Sequence, residues 1–299
     1  MTVQDLPGRH IGLGMPRSGP MDSQAFSAAN ILVGNTPETE GLEIITLPGA
    51  GCKLMFHCPA VVAVTGKSVT VRINGEQVSM WARLTISENG ILDIDGRPGP
   101  GFRVYLAIRG GFPEVPQYLG SKSTSMGLGG YQVLRVCIGI TFCLRSSFMQ
   151  GRSLRAGDQL SLDSEPLSPE QGGAESPASF ALPGNLIPVY SHDWVIGVLA
   201  GPHDDAEFLT PEGNTKFYST KWSVSSSSNR MGIRLENDQT IDWARSTGGE
   251  GGSHPSNILD NGYALGAINV NGDTPVILTN EGPDMGGYVC LCTVATGEM

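Results

Sequence analysis

Two stretches of this 299-residue chain gather polar side chains at spacings that could do chemistry. In residues 248–257, GGEGGSHPSN, four glycines surround Glu250, and His254, Ser256 and Asn257 follow within a few positions. Glycines at that density let backbone N–H groups close around an anion, the concave arrangement that binds carboxylates and phosphates. A Glu held there faces donors and can accept a substrate N–H or act as a base. The competing reading is a flexible surface turn. Residues 12–35, GLGMPRSGPMDSQAFSAANILVGN, supply the second cluster. Asn30 lies four positions after Phe26, so it projects beside the apolar stripe of Phe26, Ala29 and Val33. It is either a structural amide or one that faces a cleft, because an unpaired buried amide costs roughly 1–3 kcal/mol. His203 follows Gly201-Pro202 at a strand end and can donate, accept or titrate near neutrality, as a catalytic or a structural histidine. Arg230, in SNRMG, has the planar fork that holds a carboxylate by two parallel bonds, or it pairs with one of the many acidic side chains. His10, His57 and His192 read as structural or surface residues.

The elements that must position these groups are mostly strands. The second cluster is an exception: Asp22 or Ser23 caps a helix that runs to Val33 and stops at Gly34. Residues 60–64, 69–73 and 104–108 are β-branched runs bounded by Gly, Asn or Pro, and Asn74-Gly75 is a hairpin turn. Ile108-Arg109-Gly110-Gly111 ends a strand in a glycine pair. Residues 162–188 are rich in Pro, Ser, Gly and Glu without periodicity and read as a linker. Beyond it, 194–199 reads as a strand, 208–218 as a short helix opened by Thr210-Pro211, and 225–230 as a polar turn. Residues 262–270 and 276–280 read as strands joined through Asn271-Gly272. Cys290 and Cys292 alternate on a strand and face one side as small core residues.

Forty-one glycines and 20 prolines with 16% charged residues describe a turn-rich, β-rich protein of one or two domains. The net charge of −10 argues against nucleic acid or an anionic membrane as partner. No signal-peptide pattern or bilayer-length apolar run is present, which makes a soluble, cytoplasmic protein the expectation. The six cysteines show no paired CxxC spacing, so no metal is expected and reduced thiols are. No G-x-S-x-G and no P-loop lysine is present, so ATP chemistry would lie elsewhere.

The run PRSGPMDSQAFSAANILVGN followed by GLEI at 41–44 resembles the signature of the allophanate hydrolase subunit 2 family, a biotin-dependent carboxyltransferase family. The family includes half of the carboxyltransferase domain of urea carboxylase and urea amidolyase, and one of the subunits of bacterial 5-oxoprolinase. IRGG at 108–111, YLGS at 118–121 and SNR at 228–230 match it as well. Residues 248–257 and the EGPDMGG segment at 281–287 resemble the urea carboxylase branch. The resemblance implies a mostly β fold of two cyclophilin-like β-barrels with a few short helices. It places a first domain at 1–163, a linker at 164–186 and a second domain at 187–299. Residues 133–150 read as an insert without family counterpart, a retained intron in the gene model, and both chain ends read as trimmed of a strand. The implied function is transfer of a carboxyl group from carboxybiotin to urea, giving allophanate, with this fragment inactive alone. The alternatives are a non-catalytic regulatory or assembly subunit, or a protein like the 5-oxoprolinase subunit of the family. Biotin would be carried on another domain or chain, and the partners would be a subunit 1-like half and biotin carboxylase and carrier domains. Catalytic roles then fall to Asn30, Glu250 and His203. Substrate binding falls to Ser18, Asp22, Glu43, Arg230, His254, Ser256, Asn257 and Asp284.

Overall fold

In the computed structural model, residues 1–6, 8–9, 15–125, 128–131, 151–163 and 180–295 are described. They form two units, the first made of the described residues of Met1–His10 and Arg17–Asp193, the second of those of Ile11–Pro16 and Trp194–Met299. The insert expected at 133–150 and most of the linker lie outside the described residues.

The first unit runs β1 (Thr2–Gln4), α1 (Ser23–Val33), β2 (Gly41–Ile45), β3 (Cys52–Phe56), β4 (Ala60–Gly66), β5 (Val69–Ile73), β6 (Glu76–Val78), β7 (Leu84–Ile86), β8 (Gly90–Gly96) and β9 (Arg103–Ile108). One sheet has the order β1-β2-β9-β4-β7 and the other β3-β8-β5-β6. β4 is buried along its whole length because it is covered on both faces. Val62 and Val64 join Leu92, Ile94, Val104 and Leu106 in the core between strands. Val61 and Ala63 face α1, against Ala29, Leu32 and Val33. Fully burying one such aliphatic side chain is worth about 1.5–3 kcal/mol. The helix has the ends its sequence dictates. Asp22 caps it by accepting from Ala25 N, and Gly34 closes it at φ 87°. Ile73 pairs with Glu76 across Asn74 (φ 52°) and Gly75 (φ 89°), a two-residue hairpin with both central residues left-handed.

Residues 180–193 pack on this first unit. Arg83 N donates to Phe180 O and Leu182 N to Trp81 O, and Leu182, Ile187 and Tyr190 lie against the cluster of Ala25, Phe26, Trp81 and Tyr105.

The second unit runs β10 (Val198–Ala200), α2 (Pro211–Ser219), β11 (Ser223–Val224), β12 (Gly232–Glu236), β13 (Asn257–Gly262), β14 (Ala267–Asn271), β15 (Thr274–Leu278), β16 (Met285–Tyr288) and β17 (Cys290–Val294). A six-stranded sheet has the order β10-β17-β14-β15-β12-β11, and β13 and β16 form a separate two-stranded ribbon. Thr210 caps α2, as the Thr-Pro pair predicts. Cys290 and Cys292 are both buried and free, and burial pushes the Cys292 thiol up to about 12.

The chain is mostly β, with two α-helices among the described residues. In neither unit do the described strands close into a ring. Three local expectations shift. Of the stretch 194–199 only Val198 and Leu199 are strand, in Val198–Ala200 paired to β17, while Trp194 is 62% and Val195 98% exposed. The stretch 262–270 is broken by a turn, in which Ala267 N donates to Ala264 O and Gly266 takes φ 81°. The second hairpin turns one residue later than Asn271-Gly272, since Asn271 itself pairs with Thr274 across Gly272 and Asp273. No helix among the described residues is long and apolar enough to cross a membrane.

Candidate functional site

In the first unit the polar cluster around the start of α1 is turned inward. Asp22 caps the helix through Oδ1 at 2.8 Å, accepts from Tyr190 Oη through Oδ2 at 2.7 Å, and donates its own N–H to Tyr105 Oη at 2.8 Å. Glu43 is 2% exposed. Its Oε2 accepts from Met21 N at 2.8 Å and Tyr105 Oη at 3.2 Å, and Arg103 Nε lies 3.3 Å from Oε1. Burial first, then the Glu43 charge, push the Tyr105 phenol well above its ordinary range, so it stays a neutral donor to Glu43. Ser18, at φ 60°, is buried and donates to Thr124 O at 3.1 Å. Asn30 is fully buried. Its Nδ2 donates to Thr39 O at 2.8 Å, and its Oδ1 accepts from Asn35 Nδ2, which also reaches Ile108 O at 2.8 Å. Of the two roles the sequence leaves open, this geometry is the structural one: the amide ties the helix to the loop after it and, through Asn35, to β9.

In the second unit the glycine loop packs against the start of β13. A Cβ on Gly248 would lie 2.4 Å from Asn257 O, and one on Gly251 2.5 Å from the Ile258 carbonyl carbon, so neither position admits a side chain. The expected anion cradle is not formed. Gly248 N donates to Gly252 O, Gly251 N to Gly248 O, Gly252 N to Gly249 O and Gly249 N to Thr247 Oγ1. The loop spends these amides on closing itself into a one-turn 3-10 helix, Gly249–Gly251. Glu250 is displayed on it, exposed and without a side-chain partner among the described residues.

Behind the loop stands a dense cluster. His254 Nδ1 accepts from Ser256 N at 3.1 Å and lies 2.9 Å from Ser256 Oγ, which also accepts from Gly272 N at 3.0 Å. Asn257 Oδ1 accepts from His254 N at 3.1 Å. Arg245 binds both carbonyls that flank the serine, Pro255 O at 2.8 Å through Nε and Asn257 O at 2.7 Å through an Nη. Its guanidinium stacks 4.4 Å from the Phe208 ring centroid. Phe208 in turn packs nearly perpendicular to the His203 ring, with centroids 4.8 Å apart.

His203 Nδ1 accepts from Cys290 N at 3.0 Å, and burial lowers the pKa of the ring. Three successive amides at the bend from β16 to β17 are thus held by this cluster and its neighbour Tyr263. Tyr288 N donates to Tyr263 Oη, Val289 N to Ser256 O, and Cys290 N to His203 Nδ1.

The structure therefore joins His203, His254, Ser256 and Asn257, with Glu250 on the adjoining loop. Asp284 is exposed beyond the other end of the ribbon, where Tyr263 N donates to its carbonyl, because Asn257 pairs with Tyr288 but Gly262 with Met285. Five residue steps separate the two ends, roughly 17 Å of strand. Arg230 makes the ion pair that the sequence held as its alternative, Nε to Glu281 Oε1 at 2.8 Å with Glu281 5% exposed. Arg245, Phe208 and Tyr263 are not legible in the sequence, because each stands alone there and gains its role only from distant carbonyls and rings. Among the described residues no group of three or more His, Cys, Asp or Glu could hold a metal ion.

Comparison with known proteins places this geometry among relatives. The family model for the carboxyltransferase domain, subdomain A and B, matches residues 13–299. The chain is 40% identical over 99% of its length to a putative urea carboxylase of Emericella nidulans, of which it covers 22%. It superimposes on the urea carboxylase of Kluyveromyces lactis with TM-score 0.82 and 41% identity, covering 99% of this chain and 25% of that one. It is 31% identical over its whole length to a 5-oxoprolinase subunit of Escherichia coli and covers 82% of that protein. The chain thus spans about a quarter or less of the urea carboxylases it matches.

Proposed function

The chain belongs to the carboxyltransferase domain, subdomain A and B, family, and from that premise we propose that it is one half of a carboxyltransferase that moves a carboxyl group carried on biotin to urea, giving allophanate. The observation that carries the reading is the set of polar groups the second unit leaves outward. His254 keeps an Nε2 and Asn257 a carboxamide nitrogen with no partner among the described residues, and Glu250 adds an exposed carboxylate. Uncharged N–H donors beside one acceptor suit the carbonyl oxygen and N–H groups of urea or of a ureido ring. This donor set fits biotin, which would be held by His254 and Asn257 and would supply an activated carboxyl group when bound.

The protein's own task is positioning. A urea nitrogen would form the new C–N bond as the carboxyl group's bond to its carrier breaks, and would give up a proton, a poor acid's proton, so a nearby carboxylate or the leaving group must take it. Glu250 is the candidate acceptor. Donors fixed before the reaction stabilise oxygen charge as it develops, and water must be kept from the activated carboxyl group. Asn30, Ser18, Asp22 and Glu43 build the first unit, and His203, Ser256 and Arg230 build the second. Asp284 stands apart from the cluster.

The biotin carboxylase, the biotin carrier and the other carboxyltransferase half belong to the rest of such a polypeptide or to partner chains. A second reading, a stand-alone subunit acting on 5-oxoproline or serving assembly alone, is favoured by the match to most of the Escherichia coli 5-oxoprolinase subunit. The two separate in one assay. The chain, combined with the other half, a biotin carboxylase, a biotinylated carrier, ATP and bicarbonate, is expected to turn over urea and not 5-oxoproline. Turnover of 5-oxoproline alone would contradict the reading.

A further inference from the structure

The contacts of His254 define more than its place. A backbone N–H can only donate, so Ser256 N at 3.1 Å requires a lone pair on His254 Nδ1. Gly272 N at 3.0 Å occupies an acceptor site on Ser256 Oγ. The single hydroxyl hydrogen of Ser256 is then directed to the same Nδ1, 2.9 Å away. Ser256 is 0% exposed, so its oxygen meets neither solvent nor substrate. The surroundings hold the ring in place. The Trp243 ring stands perpendicular to it, with centroids 6.1 Å apart, and Trp243 Nε1 donates to Asp273 Oδ1 at 3.0 Å. Gly272 and Asp273 belong to one hairpin turn, so a single turn anchors both the serine and the tryptophan.

We infer that Ser256 is a positioning residue that locks His254 as the neutral Nε2–H tautomer, so that His254 meets its ligand as a donor to a carbonyl or carboxylate oxygen and not as a general base. The lone pair a base would use is covered by two donors, and the nitrogen that faces outward already carries the hydrogen. This sharpens the role of the site proposed above and rests on that reading for its ligand. The tautomer itself does not.

The test is nitrogen NMR of the whole chain with 15N-labelled histidine. The signals of His254 are those among the five histidines that vanish in His254→Gln. At neutral pH, Nδ1 is expected to give a lone-pair-type shift and Nε2 a protonated-type shift. A protonated Nδ1 overturns the inference. Ser256→Ala, which keeps the backbone N–H but removes the hydroxyl, loses one of the two donors to Nδ1 and is expected to show a minor Nδ1–H tautomer beside the main one, and Ser256→Thr to remove it. An unchanged single tautomer in folded Ser256→Ala would remove the serine side chain from the role. If Ser256→Ala does not fold, the wild-type spectrum and Ser256→Thr still decide.

In the reconstituted urea assay, His254→Gln keeps a donor near Nε2 and is expected to hold most of kcat. His254→Ala is expected to lose roughly 10²–10³-fold, the effect of one preorganised donor. Equal loss in both overturns the donor role. Absence of any urea turnover in wild type, with the tautomer as stated, contradicts the proposed function alone.

Discussion

At the scale of single residues, several polar side chains with a catalytic look are spent on backbone. Asn30→Ala removes a fully buried amide and strands Thr39 O and Asn35, so it is expected to lower unfolding free energy by about 1–3 kcal/mol in urea titration. An unchanged stability with lost carboxyl transfer would instead make it a group of the cleft. His203 offers a second test through pH. Burial lowers its pKa in the folded state from the ordinary 6.5, so below about pH 6.5 the unfolded chain binds the extra proton first. Its contribution to stability is therefore complete above that pH and is lost as pH falls toward the folded value. His203→Asn can still accept from Cys290 N but does not titrate, and it is expected to show a shallower loss of Tm between pH 7 and 5. An identical slope in both proteins would show that His203 is not the group responsible.

At the scale of elements, legibility followed how local the cause is. Helix α1 could be read end to end because Asp22, the Phe26-Ala29-Val33 stripe and Gly34 are its own sequence. Asp22→Ala is expected to cost about 0.5–2 kcal/mol of stability, measured by denaturation, and no change would mean the cap is idle. The hairpin at Asn74-Gly75 was equally plain. The stretch 194–199 looks like a strand by composition, but strand status needs a partner, and only Val198 and Leu199 find one on β17. The glycine loop at 248–252 misled in the opposite way. Glycine density allows an anion cradle and an equally tight self-closed turn, and only the approach of Asn257 and Ile258 decides between them. Gly251→Ala should therefore disorder the loop and weaken urea transfer through a raised KM, while the chain keeps its fold by circular dichroism. A fully active variant would show that the loop tolerates displacement.

At the scale of the whole molecule, each of the two units holds its own core and sheets, and the family match runs from residue 13 to 299. The mostly β class and the family were legible from turns, strand composition and one long ungapped motif. The cluster built by Arg245, Phe208 and Tyr263 was not, because it joins carbonyls and amides that lie tens of residues apart. The central claim is that this chain takes part in the chemistry and is more than an assembly module. The most direct measurement follows isotope from labelled bicarbonate into allophanate, with ATP, urea, biotin carboxylase, biotinylated carrier and the other carboxyltransferase half present, with and without this chain. Label is expected in allophanate only when the chain is added, and to fall in its His254→Ala form. Equal labelling without the chain would contradict the account.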